Sequence, residues 1–168
     1  MNKETTCCFT GPRPQRLPMN GNEYSAEIAA LKIKIRKAVL DAYDEGFRFF
    51  ITGMAEGFDI LAAEAVLDLK EDYEDAVLVA ALPYNDAPKR HSENTCRRME
   101  KILSCCDFIY SLGEEYLPGC ELRRNKYMVD NSSRIIGYYN GLSAGTSHCW
   151  NYAIENSLEM VNLYESIL

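Results

Sequence analysis

The sequence lacks the features that mark membrane proteins, metal-binding proteins and repeat proteins. No stretch approaches the roughly 20 consecutive apolar residues of a membrane-spanning helix, so no membrane association is expected. There is no Cys-x-x-Cys pair, and neither of the two histidines, His91 and His148, lies at a ligand spacing from a cysteine pair, so no metal site is predicted. Repeats, linkers and low-complexity segments are absent, which favours a single domain over residues 1–168.

Positive charge is also scarce. The chain has 18 Lys and Arg against 25 Asp and Glu, a formal net charge of −7. Because affinity for a nucleic-acid backbone comes from cations that displace counterions, nucleic acid is not expected as a partner. Residues 1–6 are polar and carry no apolar signal-peptide core, which favours a cytoplasmic location. A local cationic pocket is still open, with candidates Arg13 and Arg16, Lys89 and Arg90, and Arg123 and Arg124.

The number and spacing of the seven cysteines indicate reduced thiols within the protein core. Their number is odd, and two pairs are adjacent in sequence, Cys7 with Cys8 and Cys105 with Cys106. In a strand, Cys7 and Cys8 point to opposite faces of the sheet, so they cannot bind one metal together. Buried, reduced cysteines are typical of a cytosolic protein.

Strand-type and helix-type segments alternate along the chain. The predicted strands are 5–10, 47–52, 76–82, 107–112, 134–139 and 160–164, and the predicted helices are 23–45, 60–69, 93–104, 121–131 and 146–157. This alternation predicts an α/β fold, a three-layer α/β/α sandwich with a mostly parallel sheet. Right-handed crossovers favour the strand order 3-2-1-4-5 with the sixth strand outside. Ligands of such sheets bind where the order reverses, here between the first and fourth strands.

Glycine-containing loops at that edge are candidates for phosphate binding. Residues 53–59 join a strand to a helix, and their glycines allow close approach to a phosphate at a helix N-terminus. Asp59 would accept a ribose hydroxyl or cap the helix, and the alternative is a simple turn. The loop is not a Walker P-loop, because it lacks Gly-Lys-Ser/Thr.

Two further loops complete the candidate site. Residues 141–147 open a later helix and offer Gly145 and Thr146, or form only a capped turn. In the first loop, Arg13 between two prolines is a fork-shaped donor for phosphate, or a solvated surface arginine. The predicted ligand-binding residues are Thr10, Gly11, Arg13, Gly53, Met54, Ala55, Glu56, Gly57, Asp59, Gly141, Gly145 and Thr146.

Three segments in this order resemble the SLOG superfamily, which unites the DprA/Smf domain and the Lonely-guy proteins, and within it the YpsA-like family. They are residues 9–14 (Phe-Thr-Gly-Pro-Arg-Pro), residues 53–59 (Gly-Met-Ala-Glu-Gly-Phe-Asp) with 62–64, and residues 128–130 through 141–146. The resemblance implies a Rossmann-like fold that binds a nucleotide or nucleotide-derived ligand across these loops. It also implies a homodimer.

The same resemblance supplies an enzymatic alternative. Lonely-guy phosphoribohydrolases cleave the N-glycosidic bond of nucleoside monophosphates, and their Arg four residues before a Met matches Arg124, the candidate catalytic residue. Their loop reads Pro-Gly-Gly-x-Gly-Thr-x-x-Glu, whereas this chain lacks the Pro and the tandem Gly and has Cys149 at the Glu position. A neutral thiol does not stabilise an oxocarbenium-like centre as a carboxylate does. Glu56 or Glu64 would replace that carboxylate only by facing the cleft.

The leading hypothesis is therefore a binding or sensor protein for a nucleotide-derived small molecule. No cofactor is assigned beyond that ligand. The alternatives are a nucleotide N-glycosidic hydrolase of Lonely-guy type and a partner-binding scaffold with a vestigial pocket.

Overall fold

The structure is a computed structural model that describes residues 1–164. Within that range the strands are β1 (Thr6–Thr10), β2 (Phe49–Thr52), β3 (Val77–Leu82), β4 (Phe108–Ser111), β5 (Arg134–Gly137) and β6 (Glu159–Asn162). The α-helices are α1 (Ala26–Asp44), α2 (Phe58–Asp72), α3 (Glu93–Cys105), α4 (Cys120–Asp130) and α5 (Ala144–Glu155). The predicted α/β alternation is confirmed, with boundaries that differ by a few residues.

Local sequence explains where the first long helix begins and ends. Ser25 precedes α1, and its side-chain oxygen accepts the N–H of Ile28 at 3.2 Å, which caps the helix. Apolar residues at helical spacing form its buried face. The chain leaves the helix at Gly46, whose φ of +102° suits glycine.

All six strands are parallel, in the order β4-β3-β2-β1-β5-β6. The predicted order 3-2-1-4-5 with an outer sixth strand is therefore wrong in detail. Strands β1 to β4 are added outward in one direction, so β4 lies beyond β3. The connection through α4 then returns the chain to the other side of β1, and the switch point lies between β1 and β5. Crossover handedness does not determine after which strand the reversal occurs. The exposure of all four β4 residues is typical of an edge strand.

Two apolar clusters, one on each face of the sheet, make the three layers. One cluster includes Cys7 and packs residues of α1, α2 and α3 against one face of the sheet. The other joins α4 and α5 to the opposite face, which includes Cys8. The prediction that these cysteines point to opposite faces is confirmed. All seven cysteines are free, and four of them, Cys7, Cys8, Cys120 and Cys149, are buried.

The seating of α5 against the sheet depends on Gly137 at the end of β5. A Cβ at this position would lie 2.7 Å from Cζ3 of Trp150 in α5 and 2.9 Å from the carbonyl oxygen of Thr10 in β1. Gly145, at the start of the same helix, has no atom within 4 Å of the corresponding position. The core therefore requires glycine at 137 and has room for a side chain at 145.

We expect Gly137→Ala to lower the free energy of unfolding by about 1–3 kcal/mol, because overpacking forces neighbouring atoms apart. Gly145→Ala is the matched control and is expected not to lower it, since its Cβ would enter open space. Urea unfolding of both variants and the wild type measures the difference. Equal stability of the two variants would contradict the packing explanation.

Candidate functional site

Two adjoining cavities form a cleft at the carboxyl ends of the central strands. The first, here called the α5 cavity, has a volume of about 240 Å³ and reaches the start of α5. The second, here called the β3 cavity, has a volume of about 180 Å³ and lies beyond the end of β3. Four residues line both cavities: Arg13, Ala55, Glu121 and Arg124. The cleft is therefore one continuous site with two compartments.

Most of the predicted site residues come together in this cleft. The α5 cavity is lined by Thr10, Gly11, Arg13, Ala55, Asp59, Arg124, Gly145 and Thr146. The β3 cavity adds Gly53 and Met54. Glu56 and Gly57 line neither cavity but a separate groove beside α3, and Gly141 lines neither. Their contacts with a ligand stay predictions.

The loop after β2 uses its own polar groups internally. The N–H of Met54 donates to Oγ1 of Thr52 at 3.2 Å, and the N–H of Ala55 donates to Oδ2 of Asp59 at 3.3 Å. Met54 is buried with a φ of +53°, so the backbone is strained where the loop folds over the carboxylate. An internal carboxylate thus occupies the place where a phosphate was expected.

Asp59 and Arg124 bring two buried, opposite charges to the floor of the cleft. Their side chains meet at Gly53, where an added Cβ would lie 2.7 Å from Nη1 of Arg124 and 2.8 Å from Oδ2 of Asp59. Nε of Arg124 donates to Oδ1 of Asn125 at 2.9 Å, and Nη1 donates to the carbonyl oxygen of Gly53. Burial raises the pKa of Asp59, while the charge of Arg124 and the N–H of Ala55 act to lower it. Glycine at 53 is needed for this close approach.

The N-terminus of α5 differs from the loop after β2 because its donors are free. In the part of the chain that the structure describes, the N–H groups of Ala144, Gly145 and Thr146 have no protein acceptor. The preceding Ser143 makes no side-chain cap, and its Oγ instead accepts from Oγ1 of Thr146 at 3.1 Å. Free N–H groups at the positive end of a helix dipole favour an anion.

Arginines from the first loop border this helix end. Nη2 of Arg13, which is half-exposed, lies 3.3 Å from Oε1 of Glu121 in α4. Nη1 of Arg16 donates to the carbonyl oxygen of Leu142 at 2.8 Å and so ties the first loop to the loop before α5. Exposed ion pairs contribute little to stability, so Arg13 can exchange Glu121 for another anionic partner at low cost.

Aromatic and cationic side chains line the β3 cavity. Tyr84 and Arg90 both face it, and Cζ of Arg90 lies 5.7 Å from the ring centre of Tyr84. Nδ1 of His91, another lining residue, lies 3.4 Å from Oε2 of Glu56. The guanidinium of Arg90 can therefore interact with a negatively charged group in this compartment.

Sequence reasoning missed Glu121, Asn125 and Ser143 as lining residues. Glu121 and Asn125 lie on the same face of α4 as Arg124 and Met128. Extending the Arg124 prediction by helical spacing would have found both. Ser143 follows the glycine turn directly, and no separate signal marks it.

The carboxylates proposed as replacements for the missing glutamate lie outside the cleft. Oε1 of Glu56 accepts from the hydroxyl of Thr95 at 3.0 Å, and Glu64 is bound by Arg98 with contacts of 2.5 and 2.7 Å. Neither Glu56 nor Glu64 lines either cavity, so the condition for replacing that carboxylate, that one of them faces the cleft, is not met. Cys149 is fully buried, and burial raises the pKa of its thiol to about 11, so the thiol is neutral at pH 7.

Two negative findings apply to residues 1–164. No helix in this range has the length and apolarity needed to cross a membrane. No group of three or more His, Cys, Asp or Glu side chains in it is gathered as a metal site would require.

Known proteins resemble this chain in sequence and in fold. The uncharacterized SPbeta prophage-derived protein YoqJ of Bacillus subtilis strain 168 is 31% identical over 116 residues, which are 62% of this chain and 68% of that protein. DNA processing protein A (DprA) from Streptococcus pneumoniae superposes with a TM-score of 0.67 at 18% identity, over 99% of this chain and 52% of that one. DprA from Helicobacter pylori gives 0.66 at 18% identity, over 96% and 66%.

These similarities confirm the Rossmann-like fold and the resemblance seen in the three segments. At 18% identity the two DprA structures support the fold alone, and this chain spans about half the length of the S. pneumoniae protein. The model of the YspA SLOG family matches residues 7–165, and the chain therefore belongs to that family.

Proposed function

We propose that the protein binds a nucleotide or nucleotide-derived small molecule in the cleft formed by the α5 and β3 cavities. The observation that carries the proposal is the free N-terminus of α5. Its three N–H groups lie without protein acceptors, within the described residues, beside open space at Gly145 and the buried cation of Arg124. A phosphate is the group that best matches such donors. Membership of the SLOG family supports the same ligand class.

The phosphate sits on the N–H groups of Gly145 and Thr146 in this proposal. Arg13 turns from Glu121 toward it and supplies a charge-assisted hydrogen bond. The loop after β2 has a different role from the one that its glycines suggested. Its N–H groups at Met54 and Ala55 are already used, so it forms the wall of the site and holds Asp59 in place.

The rest of the ligand extends from the α5 cavity into the β3 cavity. Asp59 lines the first compartment and is suited to accept a ribose hydroxyl. Tyr84 and Arg90 line the second compartment, where the guanidinium of Arg90 lies over the Tyr84 ring and can meet a negatively charged part of the ligand. The cleft is open and not filled by its own side chains, which speaks against a scaffold with a vestigial pocket.

We further propose that the protein acts in the cytoplasm, as a homodimer, on a small molecule and not on nucleic acid. The net charge of −7 supports the last point. DprA from H. pylori is described with a single-stranded DNA binding mode, so a single-stranded oligonucleotide belongs among the test ligands. Its binding in preference to mononucleotides would contradict the small-molecule proposal.

Thermal shift with purified protein tests the site. The probes are nucleoside mono- and diphosphates, NAD, ADP-ribose, inorganic phosphate and a single-stranded oligonucleotide, each with and without magnesium. A ligand at about 100 times its dissociation constant adds about 2.7 kcal/mol, which raises Tm by roughly 5–10 °C at this chain length. We expect Gly145→Asp to abolish that shift, because a carboxylate would occupy the anion position.

Asn151→Asp is the matched control, since it adds the same charge further along α5 at an exposed position. It should retain the shift, and both variants should unfold within a few degrees of the wild type in the absence of ligand. A Gly145→Asp variant that still gains the full shift would refute this placement of the ligand. A panel in which no probe shifts Tm would count against nucleotide binding itself.

An N-glycosidic hydrolase is the second candidate, because Asp59 and Arg124 place a carboxylate and a cation in the α5 cavity. We nevertheless expect no release of free base from nucleoside monophosphates above a protein-free blank. Cys149 is neutral, and the carboxyl group of Asp59 is buried and already bound to the N–H of Ala55. Chromatographic detection of the free base measures this. Base release that disappears in the isosteric variant Asp59→Asn would establish the hydrolase instead.

A further inference from the structure

The β3 cavity concentrates positive charge in an acidic protein. Three guanidinium groups line it, those of Arg13, Arg90 and Arg124, and among the described residues around it the one carboxylate is that of Glu121. The chain as a whole has a net charge of −7. Cations gathered in a concave site focus their field on a group that enters it. This compartment therefore favours an anion of its own, in addition to the one at the start of α5.

Arg90 is the guanidinium group of this cavity that has no anionic partner. Within residues 1–164 its side chain forms neither a hydrogen bond nor an ion pair. Its Cζ lies 5.7 Å from the ring centre of Tyr84 and 5.8 Å from that of Tyr116. The neighbouring Lys89 differs, because its Nζ lies 2.8 Å from Oδ1 of Asp86. The N–H donors of Arg90 are therefore available to a ligand.

The other two guanidinium groups line both cavities and already have partners. Nη2 of Arg13 lies 3.3 Å from Oε1 of Glu121. Arg124 donates to the side chain of Asn125 and to the carbonyl oxygen of Gly53. Arg90 lines only the β3 cavity, so a phosphate bound at the start of α5 leaves its charge unmatched.

Side-chain contacts hold the segment that carries Arg90 in place. The thiol of Cys96 in α3 donates to the carbonyl oxygens of Pro88 and His91 at 3.3 and 3.5 Å. Nδ1 of His91 lies 3.4 Å from Oε2 of Glu56. These contacts lie on both sides of Arg90 in the sequence. The guanidinium group is therefore positioned before a ligand arrives, which lowers the entropic cost of binding.

A larger groove between α1, α2 and α3 also gathers basic side chains, but its arginines are already bound. Its volume is about 540 Å³. Nη2 of Arg36 lies 2.7 Å from Oδ2 of Asp68, and Nε of Arg98 lies 2.5 Å from Oε1 of Glu64. The excess of unmatched positive charge thus distinguishes the β3 cavity from this groove.

We propose that the ligand of the cleft carries a second phosphate group, which Arg90 binds in the β3 cavity. This inference rests on the proposed function and restricts its ligand class to doubly phosphorylated nucleotides. Phosphates are the anionic groups of nucleotides, and a guanidinium group matches their oxygens with two parallel hydrogen bonds. The first phosphate stays on the N–H groups of Gly145 and Thr146.

Isothermal titration calorimetry of the full chain tests this second subsite. The probes are the monophosphates, diphosphates and bisphosphates of adenosine and guanosine, the bisphosphates having one phosphate on each of two ribose hydroxyls. We expect a doubly phosphorylated probe to bind the wild type about tenfold more tightly than the monophosphate of the same base, because it adds a charge-assisted hydrogen bond. Tighter binding of the diphosphate indicates two phosphates in one chain, and tighter binding of the bisphosphate indicates separate positions on the ribose.

The variant Arg90→Gln removes the cation and retains a polar side chain. We expect it to reduce the tenfold preference to less than about twofold, and to leave the affinity for monophosphates unchanged, since these use only the α5 cavity. Lys89→Gln is the matched control, because it removes the same charge from the next residue, which pairs with Asp86 and does not line the cavity. It should retain the preference. Circular dichroism verifies that both variants are folded.

The outcomes separate this inference from the proposed function. A wild type that binds monophosphates as tightly as the doubly phosphorylated probes would overturn the second subsite and leave the nucleotide site standing. A preference that survives Arg90→Gln, or that Lys89→Gln abolishes equally, would overturn the assignment to Arg90. A wild type that binds none of the probes would contradict the proposed function itself, and this inference with it.

Discussion

The close packing of Asp59 and Arg124 around Gly53 organises the carboxyl-terminal edge of the sheet. Asp59 belongs to α2 on one face of the sheet, and Arg124 belongs to α4 on the other. Both side chains approach the carboxyl end of β2, where the absence of a side chain at Gly53 leaves the space. Asp59 accepts the N–H of Ala55, and Arg124 donates to the carbonyl oxygen of Gly53. Leaving such a buried polar group without its partner costs about 1–3 kcal/mol. The geometry of the loop after β2 depends on these two hydrogen bonds.

The two glycine loops have different functions although their sequences look alike. The glycines at 53 and 57 let the chain fold inward, where Asp59 satisfies the N–H of Ala55. The glycine at 145 is required by no packing contact and leaves the first N–H groups of α5 open. The loop after β2 therefore binds the carboxylate of Asp59. The free N–H groups at the start of α5 are open to an external anion. A buried arginine below both of them gives the cleft its positive character.

The arrangement of the sheet places the cleft at its centre, away from its two edge strands. Strands β1, β2 and β5 occupy the centre, so their loops converge on the cleft. β4 lies at one edge, where its apolar side chains and outward backbone groups are exposed. The cleft at the centre therefore has no lining residue from β4.

The sequence by itself determined the α/β alternation, the parallel sheet and the family, and most of the site residues that it predicted line the cleft. Hydrophobic periodicity and glycine placement are local properties, and they are readable without coordinates. Only the tertiary structure decided the strand order, since crossover handedness permits the chain to reverse after β3 or after β4. Tertiary packing alone also decided that Asp59 accepts the N–H of Ala55 and that Glu121 lines the cleft. It likewise decided that Glu56 and Glu64 lie outside the cleft. Those outcomes depend on which helices meet across the sheet, and this is a non-local property that no short segment encodes.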